Sequence, residues 1–80
     1  MATTISITKS EDENNEFEVN YRTDKFGEEI DIIGKLKENI HSKNMEFEES
    51  WMDTEEETIY LNNIEEISDE ILHYFYNEYL

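Results

Sequence analysis

EEIDIIGKLKENI, residues 28–40, decides how the rest of the chain is read. Ile30, Ile33, Leu36 and Ile40 fall at steps of three, three and four, the spacing of one helix face. Glu28, Glu29 and Asp31 sit in what would be the first turns, and Lys43 lies near the end, as a helix dipole favours. Gly34 weakens a helix interior. It keeps a second reading open, in which Glu28 to Ile33 is a strand followed by a shorter helix. The periodicity favours the long helix.

Upstream, Thr3 to Lys9 alternates, with Ile5 and Ile7 on one face and Thr4, Ser6 and Thr8 on the other. After the polar loop Ser10 to Asn15, Glu16 to Arg22 alternates again, with Phe17, Val19 and Tyr21 inward. The two runs predict an antiparallel hairpin. Downstream, Met45 to Trp51 places Met45, Phe47 and Trp51 on one face, with Trp51 expected in the core, and Glu46, Glu48 and Ser50 on the other. Asp53 to Glu57 reads as a charged turn and Thr58 to Asn62 as a returning strand with Ile59 and Leu61 inward. The last segment reads as a helix with an apolar stripe of Ile64, Ile67, Ile71 and Tyr74 or Phe75. Asn63 followed by Glu66 resembles a capping box, and Ser68 offers a later start. The expected fold is a single α+β domain over residues 1–80: β-β-α-β-β-α, a four-stranded antiparallel sheet with two helices on one face. The other sheet face is left to solvent.

Composition bounds function. With 80 residues the chain supports one modest core and no deep cleft. There are 22 acidic and 6 basic residues, a formal charge of −16, which sets carboxylates against one another on folding. That charge argues against direct binding to nucleic acid or anionic membranes. No apolar run approaches the ~20 residues that span a bilayer, and MATTISITKSEDE has no secretory pattern. A cytoplasmic protein is expected. Cysteine is absent, which excludes disulfides and thiolate metal sites.

Catalytic patterns are missing too. EDENNEFEV and DTEEETIYL lack the glycine and spacing of a calcium loop. His41 and His73 form no zinc motif, Gly27 and Gly34 form no phosphate loop, and no nucleophile–base order is recognisable. The chain is expected to be no enzyme and to carry no metal or cofactor.

The charge is unevenly spread. The first 43 residues hold ten acids and all six basic residues, whereas the last 37 hold twelve acids and no Lys or Arg. Acids of the second half must therefore be solvated, paired with distant lysines, or held for a partner. Glu46 and Glu48 stand two apart on a strand, about 6.7 Å along it, and Glu16 and Glu18 repeat the pattern. That repeat is comparable to the separation of phosphates along a nucleic-acid strand. Asp53, Glu55, Glu56 and Glu57 crown the turn, and Glu65, Glu66, Asp69 and Glu70 line the last helix. With Glu46, Glu48 and Glu49 they form the candidate partner-binding set, and their counterparts are Lys and Arg residues of a basic protein. The aromatic group HYFYNEYL, residues 73–80, is more than one helix face can bury, so one or two of Tyr74, Phe75, Tyr76 and Tyr79 stay exposed. They read as amphipathic packing with hydroxyls in water, or as an interface or homodimer contact.

Size, charge and the acidic stretches MEFEESWMDTEEE (residues 45–57) and NNIEEISDEI (residues 62–71) resemble the small acidic inhibitors carried by phages and mobile elements. Those are nucleic-acid mimics that include anti-restriction and anti-CRISPR proteins. The resemblance is one of type, covers the whole chain and rests on no shared motif. It implies a stoichiometric inhibitor that occupies the nucleic-acid site of a host defence protein, such as a nuclease or CRISPR effector, in the host cytoplasm. Two alternatives remain: an immunity protein against a basic toxin nuclease, which barstar-like inhibitors resemble in size and acidity, and a generic acidic interaction module.

Overall fold

Residues 30–38 are a strand. In the computed structural model, which describes residues 2–13 and 15–79, the elements are β1 (Thr3–Lys9), β2 (Glu16–Thr23), β3 (Ile30–Glu38), β4 (Met45–Asp53) and α1 (Glu57–Tyr79). Asn14 of the expected first loop lies outside the described residues. The strands form an antiparallel meander in the order β1-β2-β3-β4, and α1 packs on one face. The β-β-α-β-β-α order with two helices is therefore corrected to β-β-β-β-α with one. Three expected strands fall at β1, β2 and β4, and the remaining strand is β3 rather than residues 58–62.

Period two governs β3. Ile30, Ile32, Gly34 and Leu36 are buried on the helix side. Ile33 stands on the opposite face, 44% exposed, and Ile40 lies beyond the strand at 73%. Half of the apparent helical stripe thus never enters the core. Gly34 has a steric reason. A Cβ there would run into the Glu48 carbonyl oxygen and come within 2.7 Å of the Phe47 ring, so its absence lets β4 lie close.

A bulge in β4 corrects a second expectation. The register passes from Gly34↔Glu49 to Ile33↔Trp51, leaving Ser50 without a partner. An extra residue in a strand reverses which side the following side chains face. Met52 therefore takes the inward position opposite Ile32, and Trp51 turns outward opposite Ile33, 49% exposed.

Thr58 to Asn62, expected as a strand, forms the first turns of α1. Tyr60, Ile67, Ile71 and Phe75 are buried along one stripe, with Ile64 half-buried between them. Tyr60 extends the helical spacing one turn back from Ile64, whereas Leu61 is 58% exposed. Asn63 and Ser68 are interior to the helix, and Asn63 Nδ2 donates to the Ile59 carbonyl at 2.7 Å instead of capping. The start is fixed by Glu28, whose carboxylate accepts the Glu56 N–H at 2.7 Å and the Thr54 hydroxyl at 2.9 Å. A carboxylate on the N-terminal amides suits the helix dipole.

The last turns of α1 reach both sheet edges. The bonds Ser10 N–H to Glu16 C=O and Asp24 N–H to Ala2 C=O set the parity of the first ladder. Odd-numbered residues of β1 therefore turn their backbone groups to the free edge. There the Tyr79 hydroxyl donates to the Ile7 carbonyl at 2.7 Å. On the other edge the Met45 N–H donates to Tyr76 Oη at 3.2 Å. These two tyrosine hydroxyls thus cap strand edges, and Tyr79 also packs on Phe17 and Phe75. Among the described residues no helix is long and apolar enough to cross a membrane.

Candidate partner-binding surface

The candidate acids fall into groups with different surroundings. Glu46 and Glu48 project from β4 onto the bare sheet face, opposite Lys37 and Lys35 of β3. Lys37 approaches Glu48 at 3.9 Å, Asn39 Nδ2 donates to Glu46 at 2.9 Å, and Lys35 pairs with Glu16 at 3.3 Å. The phosphate-like repeat on β4 is thus partly neutralised by its neighbour. Glu49 sits opposite Gly34, toward the helix. Burial, with the charge of Glu49 added, pushes the Tyr60 hydroxyl up to about 12.

On the helix, Glu66 and Glu70 converge on Lys25 from the β2–β3 turn, at 3.4 and 2.7 Å. Glu70 Oε1 also accepts the Tyr21 hydroxyl at 2.7 Å. That bond, after burial, raises Tyr21 well above an ordinary tyrosine. The hydrogen bond from Lys25 to Glu70 raises the lysine as well. This node ties α1 to β2, so Glu66 and Glu70 have an internal role.

The rest are freer. Asp53, Glu55, Glu56 and Glu57 are exposed at the β4–α1 turn, and Glu65 and Asp69 on the outer side of α1. None of these six lies in an ion pair among the described residues. Asp53, Thr54 and Glu55 join Glu29 and Asp31 around a concavity of about 260 Å³. Asp31 is accounted for: Arg22 grips it through Nε and, at 3.0 Å, Nη2, which holds its carboxyl below the usual range. Glu29 lies 3.6 Å from the same Nε. No three His, Cys, Asp or Glu side chains among the described residues are grouped to hold a metal ion.

The eleven candidates do not share one plane. The acids on the outside of α1 point away from the sheet, Glu46, Glu48 and Asp53 of β4 occupy the opposite face, Glu49 stays on the helix side, and the β4–α1 turn joins the two sides. Between the β4 acids lies a feature that the alternation concealed. Ile33 and Trp51 are cross-strand neighbours on the bare face, and with Thr4, Ser6, Asn20, Arg22 and Asp31 they line a shallow cavity of about 450 Å³. The signal was present in the adjacent pairs Ile32-Ile33 and Trp51-Met52, since two apolar neighbours on a regular strand must point to opposite faces.

Compared with known proteins, the chain matches no family profile, no curated relative and no solved structure.

Proposed function

We propose that this chain is a stoichiometric inhibitor that occupies the basic nucleic-acid-binding site of a host defence protein, of the kind a nuclease or CRISPR effector presents. The observation that carries the reading is the set of exposed carboxylates at Asp53, Glu55, Glu56, Glu57, Glu65 and Asp69. They remain outside every ion pair among the described residues, while Arg22, Lys25, Lys35 and Lys37 are engaged elsewhere. Concentrated like charge destabilises a compact chain. A groove lined with Lys and Arg relieves that repulsion and is steered toward it from a distance. The chain performs no chemistry in this role, and its action lies in the cytoplasm, where such partners meet nucleic acid.

A pull-down from a candidate host supplies the partner, and competition then tests the mechanism. Binding of the partner to this chain and to its DNA or RNA is expected to be mutually exclusive. The double reversal Glu55→Lys with Glu57→Lys is expected to slow association about tenfold at low salt. Glu11→Lys with Glu13→Lys in the first loop, nearest Lys9, is expected to do less. A freely formed ternary complex sinks the reading.

A further inference from the structure

The bare sheet face combines two observations. Trp51 and Ile33 place two exposed apolar side chains of the sheet side by side, 49% and 44% exposed, over a concavity of about 450 Å³. Their frame is acidic on balance, since Lys35, two positions from Ile33 on the same face, is paired with Glu16 at 3.3 Å. Asp53 follows Trp51 by two positions on β4 and carries no ion pair among the described residues, and Glu48 precedes it across the bulge. Arg22 reaches the same cavity, but its guanidinium is already held by Asp31 and Glu29.

We infer that this face is the docking surface for an arginine side chain of the basic partner, stacked on the Trp51 indole, with its stem over Ile33 and its charge facing Asp53. The inference rests on the reading above and deepens it by assigning where the partner's cation sits. Arginine fits better than lysine because its planar, weakly hydrated guanidinium stacks on an aromatic face. Its methylenes cover apolar surface while the head stays polar. A second copy of the chain is disfavoured as occupant, since it would bring Glu46, Glu48 and Asp53 against the same carboxylates. Nucleic acid would meet the same repulsion.

Trp51 is the sole tryptophan, so its emission reports this face alone. The test titrates the full chain with nona-arginine and, separately, nona-lysine at low salt. The arginine peptide is expected to change Trp51 emission and to bind more tightly than the lysine peptide. Trp51→Ala is expected to remove about threefold to fivefold of the arginine peptide's affinity. Glu55→Lys with Glu57→Lys should weaken both peptides while leaving the preference for arginine. Circular dichroism checks that the variants fold, and the emission of the unaltered chain needs no variant. If both peptides bind equally, Trp51 emission stays constant and Trp51→Ala binds undiminished, the docking assignment is wrong while the acidic-surface reading stands. If neither peptide binds, that underlying reading fails. An emission change that depends on protein concentration without peptide puts a second copy on the face and overturns the assignment.

Discussion

The hydroxyls of Tyr21 and Tyr60 are both shielded from water, but only that of Tyr21 has a hydrogen-bond partner among the described residues. Tyr21 donates to Glu70, whereas the Tyr60 oxygen has no such partner. A buried polar group without a bond costs its desolvation, and a made bond returns about 1 kcal/mol. Tyr21→Phe should therefore destabilise by about 1 kcal/mol, and Tyr60→Phe should be neutral or stabilising by up to about that amount. Urea midpoints separate the two. Tyr21, Tyr60 and Lys25 all hold their protons more tightly in the folded chain than in the unfolded one. Their contribution is full below about pH 10, where the unfolded groups begin to titrate. It is lost as pH climbs through the folded values, near 12 for Tyr60. Tyr60→Phe should make that alkaline loss shallower. Asp31 has the opposite sign: its contribution is present above about pH 4 and disappears as pH falls through its depressed value.

At the level of elements, long alternation was legible and short or interrupted alternation was not. β1 and β2 each carry seven or eight residues with clean period two, and the sequence is enough to place them. β3 was hidden because Ile33 and Ile40, both exposed, completed a helical spacing with Ile30 and Leu36. Trp51 was misplaced because the bulge at Ser50 leaves no mark on composition. The start of α1 was missed because five residues, Thr58 to Asn62, satisfy either period. Thr54 with Glu57 three positions on fits a capping signature at least as well as Asn63 with Glu66. What the helix start uses, however, is Glu28, distant in sequence and invisible to a local pattern. Glu28→Ala should therefore destabilise by about 1–2 kcal/mol, comparable to loss of an N-cap. The melting temperature should fall by about 4–8 °C per kcal/mol. Glu28→Gln, which keeps an oxygen acceptor, should lose less. Equal melting of Glu28→Ala and the unaltered chain would show that the contact adds nothing.

For the whole molecule, charge was the most legible property and its arrangement the least. Twelve acids in the last 37 residues are plain in the sequence, but their division between the two sides of a sheet depends on β3 and the bulge. Moderate salt should raise the unfolding midpoint of the isolated chain by screening its carboxylates, and slow its association with a basic partner. A midpoint that is flat or falling from low to physiological salt would count against a surface dominated by like charge. The element order has a consequence for the timing of synthesis. The meander precedes α1 in the chain, so Val19, Tyr21, Ile32 and Leu36 line one side of a sheet that only the last element to be made covers. One of the bonds that fasten that cover joins Tyr79 to Ile7, 72 positions earlier. Until α1 is made and docked, the apolar side chains of the sheet have no surface to pack on, and a chain cut short before it carries exposed apolar residues prone to aggregate.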